Sequence, residues 1–314
     1  MPGASPHGEL IPLTLAHSAD ADDVFMWWPI TGRVDPRAPG TLLSPPPQPA
    51  IDTGRFGYTA VPEDIQALNA RAVATGDLDI TAISMFTYPA VQDRYALTCC
   101  GWSLGDGFGP KLVVREGTGA DLDRLRKAGA RIAVPGVQTT AFLVLTLLLG
   151  RNGFVPVPMR FDQIAAAVSR GEVDAGVLIH ESQIDFERLG LRALEDLGRW
   201  WKETTGLPLP LGANVVRRDC EQRFGPGTLA EIEATLTASI RHALAHRAAG
   251  LAYARTFSPP ISDADLDRYV SMYVSPLTVD AGEAGREAVV RLLAEAHGAG
   301  LCKPVGRIAF AGET

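Results

Sequence analysis

The sequence predicts an α/β fold with at least one parallel sheet, and three observations carry that expectation. Short β-branched runs alternate with helical runs through the first two-thirds of the 314 residues, the order that builds helix-flanked sheets. The stretch Val173-Asp174-Ala175-Gly176-Val177-Leu178-Ile179 is a short apolar run reached through a helical segment and the turn Gly171-Glu172, as a parallel strand buried on both faces would be. From Thr228 onward helical periodicity takes over. The length suits two α/β domains or one large one.

Taken in order, Ile11–His17 reads as a strand. The polar Ser18-Ala19-Asp20-Ala21-Asp22-Asp23 precedes the apolar Val24–Ile30, and Ser or Asp ahead of an apolar run is a helix N-cap signal. Residues 37–50 contain Ser44-Pro45-Pro46-Pro47-Gln48-Pro49, which cannot form regular structure and predicts a surface insertion. A helix over Pro62–Thr75, ended by Gly76, leads to the strand Leu78–Ile83, which closes on Ser84. The loop Gly105-Asp106-Gly107-Phe108-Gly109-Pro110 enters a strand at Lys111–Arg115, and a strand–turn–helix unit covers Arg131–Leu149. The helical run Asp162–Arg170 then feeds the Val173–Ile179 strand. Thr228–Ala249, Asp263–Val274 and Gly285–Gly298 predict three helices, bounded by Gly, Pro and Ser/Asp signals.

Composition excludes several function classes. The net charge is −7 and no Lys/Arg run stands out, which argues against nucleic acid and anionic membranes as partners. The longest apolar run, Ala141–Leu149, is far short of the ~20 residues that span a bilayer. The first residues lack the basic and apolar regions of a secretory signal. Cys99, Cys100, Cys220 and Cys302 form neither a disulfide framework nor a CxxC metal pattern. A cytoplasmic protein with reduced thiols is the expectation.

Candidate chemistry sits at strand ends. His180 follows the buried strand at Ile179, where open α/β sheets present groups to ligands. Its near-neutral intrinsic pKa suits proton transfer; the alternative is a polar strand terminus capped by water or backbone. Thr139-Thr140 open a helix, where free N–H groups and the helix dipole favour an anion, although Thr is also an ordinary N-cap. Ser84 ends a third strand without a GxSxG elbow, so ligand binding suits it better than nucleophilic attack. The glycine loop matches neither a dinucleotide fingerprint nor a Walker A loop; it allows close approach of a flat ligand or a turn between domains. Trp200-Trp201 read as core packing, with an aromatic-binding wall as the alternative. His242 and His246 lack the glutamate of HExxH and read as a helix surface feature.

Three segments carry a resemblance: Ala133-Val134-Pro135-Gly136-Val137-Gln138-Thr139-Thr140-Ala141, Gly176-Val177-Leu178-Ile179-His180-Glu181-Ser182, and Trp200-Trp201-Lys202-Glu203-Thr204-Thr205-Gly206-Leu207-Pro208-Leu209-Pro210-Leu211-Gly212. With Ser84, the His17–Phe25 loop and Gly107-Phe108-Gly109-Pro110, they resemble the menaquinone-biosynthesis enzymes of the futalosine route, the 1,4-dihydroxy-6-naphthoate synthases. The resemblance implies a two-lobed fold of the type II periplasmic-binding-protein kind, with mixed sheets flanked by helices and a ligand cleft between lobes. The larger lobe would comprise residues 1–110 with 214–314 and the smaller 111–213, with hinge strands near 110–115 and 211–217.

The reaction implied is the lyase conversion of cyclic dehypoxanthinyl futalosine to 1,4-dihydroxy-6-naphthoate, without metal or redox cofactor. In that family the histidine matching His180 is the proton acceptor, and the positions matching Ala82, Ile83, Ser84, Thr139 and Thr140 contact a small anionic aromatic substrate that carries a carboxylate. Two departures stand out. The family's Ser-Pro-x-Pro-Asn-Asp-x-Phe loop is here Ser18-Ala19-Asp20-Ala21-Asp22-Asp23-Val24-Phe25, which places an added negative charge at Asp22. A position often Lys in the family is Ala82. The alternatives are chorismate dehydratase, of the same pathway and fold, and a non-catalytic small-anion solute-binding protein.

Overall fold

The computed structural model describes residues 10–34, 49–127 and 129–313. The predicted insertion over 37–50 therefore lies outside the described residues, except for Pro49 and Ala50. Among the described residues no helix is long and apolar enough to cross a membrane, and all four cysteines are free thiols.

Two mixed sheets form the molecule. The first is built from β1 (Ile11–Ser18), β2 (Phe56–Glu63), β3 (Ile80–Ser84), β4 (Tyr95–Leu97) and β5 (Ser103–Gly105). The second holds β6 (Lys111–Arg115), β7 (Arg131–Val134), β8 (Val155–Pro158), β9 (Ala175–Leu178) and β10 (Leu191–Asp196). The last strand, β11 (Leu209–Arg217), returns to the first sheet, whose order is β2-β1-β3-β11-β4 with β5 also on β11; the second runs β10-β6-β9-β7-β8. In the first sheet β1 is parallel to β2 and β3, while β11 runs antiparallel to its neighbours. In the second, β7 is parallel to β8 and β9, and β6 is antiparallel to β9 and β10. The strand leading to His180 is thus parallel on one side and antiparallel on the other. Its four residues are all buried, which explains the unalternating apolar run.

Several elements depart from the sequence expectations for identifiable reasons. The first helix begins at Ala21, not Val24, because the Asp20 carboxylate accepts from the Asp23 amide and caps it there. All eleven residues of that helix are buried, Asp22 and Asp23 included, as in a helix surrounded by protein. Pro62 and Glu63 finish β2, and the next helix starts at Ile65 behind an Asp64 cap. The long C-terminal helix divides into Thr228–Ala245 and Arg247–Ala254 at His246. His246 stacks on His242 at 3.9 Å.

One apolar core runs under both sheets, joining Ile83 and Val215 of the first to Leu112, Val134 and Val177 of the second. A second core packs β1, β2 and the first helix against the C-terminal helices through Trp27, Ile240 and Tyr269. Fully burying one such side chain contributes about 1.5–3 kcal/mol. The glycine loop serves this packing. A Cβ on Gly198 would meet the Phe108 carbonyl oxygen at 1.9 Å, and one on Gly109 would meet the Gly198 backbone at 2.9 Å. The close approach the glycines permit is between two backbones, and of this loop only Pro110 reaches the cleft. Trp201 is fully buried, its indole N–H donating to the Pro208 carbonyl; it packs the core and neither tryptophan lines the cleft.

Candidate active site

The C-terminal ends of β1 and β3 face those of β7 and β9 across a cleft. Ala82, Ile83, Ser84, Thr139, Thr140 and His180 all line it. Among the described residues the lining includes no Lys or Arg, so a bound anion must be met by backbone amides, hydroxyls, the side-chain amides of Gln183 and Asn214, and His180.

His180 is held in an unusual way. It is the one non-glycine among the described residues with positive φ, +54°, a conformation that costs side-chain-bearing residues about 1–2 kcal/mol. The turn lets the His180 carbonyl accept from Gln183 and the Ile179 carbonyl accept from the Ser182 hydroxyl at 2.6 Å. The ring packs edge-on to Phe161 at 4.5 Å. Its Nδ1 is ion-paired with Asp20 Oδ2, and its Nε2 is buried without a protein partner. Burial pushes the ring toward its neutral form, but the adjacent Asp20 carboxylate overrides it and lifts the pKa to about 9.

Asp20 belongs to an acidic cluster. Burial alone would raise its carboxyl, yet the charge and hydrogen bond of His180 bring it down to about 2. Asp22 moves the opposite way: burial and the charges of Asp20 and Asp23 push it well above the usual carboxylate range, although it accepts from the Tyr269 hydroxyl at 2.9 Å. Burial and Asp20 likewise raise Asp23 to about 8, even though it accepts from the Ser18 amide. Burial and its acidic neighbours thus push Asp22 toward its neutral form, against the added negative charge expected from its sequence. Asp20, Asp22 and His180 also place ligand atoms within 4.8 Å of one another. A divalent cation there would have to compete with the imidazolium for Asp20.

Many contacts tie the two sides of the cleft together, and four of them surround the acidic cluster and the helix starts. Asp20 meets His180, the Ala21 amide donates to Glu181 at 3.2 Å, Tyr273 donates to Gln183 at 3.2 Å, and Gln66 donates to Gln138 at 2.6 Å. All four link segments around the first sheet to segments around the second.

The two threonines present a different picture. The Thr139 hydroxyl donates to the Gly136 carbonyl at 2.8 Å and accepts from the Phe142 amide, the geometry of an N-cap. The Thr140 hydroxyl donates to Leu211 at 2.6 Å and accepts from the Phe86 amide. Both side chains are engaged within the protein. What the helix Thr140–Leu149 offers the cleft is its first two amides, Thr140 and Ala141, which have no intrahelical acceptor. Ser84 Oγ accepts from Asn69 Nδ2 at 2.9 Å, and its own O–H is left to donate. Sequence reasoning missed Asp20 as the partner of His180, and it missed Asn69, Tyr269 and Tyr273. The acidic run after Ser18 was the available signal for the first. The tyrosines arrive from a helix 250 or so residues away along the chain, with no local signature.

Comparison with known proteins fits this geometry. The menaquinone-biosynthesis family matches residues 13–298. A 1,4-dihydroxy-6-naphthoate synthase from Thermus thermophilus is 40% identical over 299 residues, covering 95% of this chain and 98% of the relative. One from Streptomyces coelicolor is 35% identical, with the same coverage. A crystal structure of an Archaeoglobus fulgidus protein aligns with a TM-score of 0.79 at 35% identity, over 92% of this chain and 98% of that one. The alkanesulfonate-binding protein of Xanthomonas axonopodis pv. citri, bound to MOPS, aligns with a TM-score of 0.63 at 14% identity over 95% and 96% of the two chains, a likeness of fold alone. The α/β fold is that of the periplasmic binding proteins, and the chain belongs to the menaquinone-biosynthesis family of enzymes.

Proposed function

We propose that the protein is a carbon–carbon lyase that converts cyclic dehypoxanthinyl futalosine to 1,4-dihydroxy-6-naphthoate, releasing a small carbohydrate fragment. The observation that carries this reading is the buried, unpartnered Nε2 of His180, a residue that lines the cleft. Forming the second aromatic ring while a carbon–carbon bond breaks calls for a base to remove a proton, and Nε2 is the group placed to take it. The ring in the free protein is held protonated by Asp20. A base must be neutral to act, so activity should rise as pH climbs through the titration of this ring.

The apolar lining of Ile65, Ala82, Ile83, Ile179 and Leu211 suits a flat bicyclic ring. The substrate carboxylate is assigned to the free amides of Thr140 and Ala141, with the Ser84 hydroxyl as a further donor. Thr139 and Thr140 hold that helix start in place. The lobe division belongs to the same proposal: residues 1–110 with 214–314 form the larger lobe and 111–213 the smaller. It is supported by the chain crossing between sheets after Gly105 and returning after Asp196.

Purified protein incubated with cyclic dehypoxanthinyl futalosine, and separately with chorismate, tests the assignment by mass spectrometry of products. Dihydroxynaphthoate from the first substrate alone is expected. Its absence overturns the lyase reading, and a product from chorismate replaces it with the dehydratase.

A further inference from the structure

His180 reaches its position through a residue the sequence resemblance does not assign. The Asp20 side chain lies on the opposite side of the cleft from the strand end that carries His180, and it contacts Nδ1 of the ring. A neutral imidazole has one N–H, and its location decides which nitrogen can accept a proton. An acceptor at Nδ1 keeps the hydrogen there and leaves the lone pair on the unpartnered Nε2 once the ring is neutral. We propose that Asp20 is the positioning residue of His180, fixing its tautomer and ring orientation across the cleft, with Asp22, engaged by the Tyr269 hydroxyl, outside that role. The proposal rests on the reading of His180 as the base.

The surroundings favour Asp20 for this role over the other acids near the ring. Glu181 turns to the Ala21 amide at 3.2 Å and the Ser258 hydroxyl at 3.4 Å. Asp23 is bound to the Ser18 amide at 2.7 Å. Asp22 accepts from Tyr269 and lies 3.5 Å from the Ser103 hydroxyl. Asp64, which heads the helix Ile65–Ala74, caps that helix by accepting from Gln66 and Ala67. His17 is buried, its Nδ1 2.7 Å from the Ser18 carbonyl, and the Tyr273 hydroxyl is given to Gln183. Two buried carboxyls as close as Asp20 and Asp22 cannot both carry charge cheaply.

The test follows the His180 ring directly, by NMR titration of 13C,15N-histidine-labelled full-length protein, with His180→Gln assigning the resonance. Asp20→Asn retains a good helix N-cap, and Asp20→Ser keeps the cap while falling short of Nδ1, so a folding loss in one leaves the other. Both variants are expected to lower the ring titration from about 9 by at least about one unit, to mix its tautomers, to move the rising limb of the pH–rate profile equally far down, and to cut kcat on the high-pH plateau, where the ring is neutral in every form, roughly 100-fold. Asp22→Asn is expected to leave the titration nearly in place. An unshifted ring in Asp20→Asn and Asp20→Ser overturns the positioning role, even where His180→Gln has lost all turnover. An equal shift in Asp22→Asn overturns the division of labour between the two acids. Full turnover in His180→Gln, whatever the ring does, overturns the base itself, and the role of Asp20 goes with it.

Discussion

The ends of β7 and β9 lie side by side in one sheet and open into one cleft, yet they use their polar residues in opposite ways. After β9 the chain enters a left-handed turn at His180 and leaves Nε2 without a protein partner. After β7 the Thr139 and Thr140 hydroxyls are fully engaged inside the protein, and only backbone amides are left to face a ligand. One strand end offers a reactive side chain held under strain, and the other offers a backbone cradle braced by side chains. Strained geometry persists at functional sites when the surroundings over-determine it, and here Asp20, Phe161 and the Ser182 and Gln183 hydrogen bonds do so.

The comparison breaks first at His180. Replacing it with Gln is expected to lower kcat by about 100- to 10,000-fold, the range for loss of a general base. Steady-state kinetics on cyclic dehypoxanthinyl futalosine checks this, and a loss under tenfold would make the β9 end as structural as the β7 end.

A second expectation concerns pH, where activity and stability oppose one another. The pKa of His180 is raised from 6.5 to about 9 on folding, so its contribution to stability is complete below pH 6.5 and is lost as pH climbs through 9. A base must be neutral to act, so kcat/KM should rise over that same interval. The melting temperature should fall there, and His180→Gln should flatten that part of the fall. Asp20, lowered to about 2, contributes stability above the ordinary carboxylate range that is lost only as pH drops toward 2. Rates that decline above neutrality would instead assign His180 the role of acid.

How much of this was legible in the sequence differs between the two strand ends. Each was visible as a strand ending in polar residues, because strand, turn and helix start are contiguous in the chain. The partner of His180 was not, because Asp20 lies 160 positions away and resembles an ordinary N-cap, which it also is. Among the strands, β2, β4, β5, β8 and β10 have no counterpart in the sequence expectations, and β11 enters them only as the hinge strand near 211–217 that the resemblance implies. β4 and β5 have only three residues each. β8 is Val155-Pro156-Val157-Pro158, whose prolines argue against a central strand and fit its place at the sheet edge. The charge state of Asp22 was illegible for another reason: it depends on burial and on two neighbouring acids, quantities fixed only by the tertiary fold.

The β7 end is sharpened by its own substitutions. Thr140→Val removes the hydroxyl that joins the Leu211 carbonyl to the Phe86 amide, leaving buried backbone groups unpaired at a cost of about 1–3 kcal/mol. Thr139→Val removes the N-cap and should cost about 1 kcal/mol. Chemical denaturation checks both. In each, KM should rise because the amides are less well held, with kcat changing less than in His180→Gln. A kcat collapse in either variant would mean that a hydroxyl takes part in the chemistry.

The smallest effect tests the strain itself. With φ at +54°, a Cβ at position 180 carries a left-handed penalty of about 1–2 kcal/mol, whereas glycine adopts that region freely. Glycine also loses more backbone freedom on folding, about 0.5–1 kcal/mol. Both His180→Gly and His180→Ala lose the imidazole and its pairing with Asp20, so their difference isolates the backbone. The two terms leave glycine ahead by about 0.5–1 kcal/mol, a gap that paired denaturation curves can resolve. Equal stabilities, or an advantage for alanine, would show that the β9 end relaxes out of the left-handed turn once the ring is gone. The turn would then be imposed by the Asp20–His180 contact and not by the strand end, and the contrast with β7 would lie in one ion pair across the cleft.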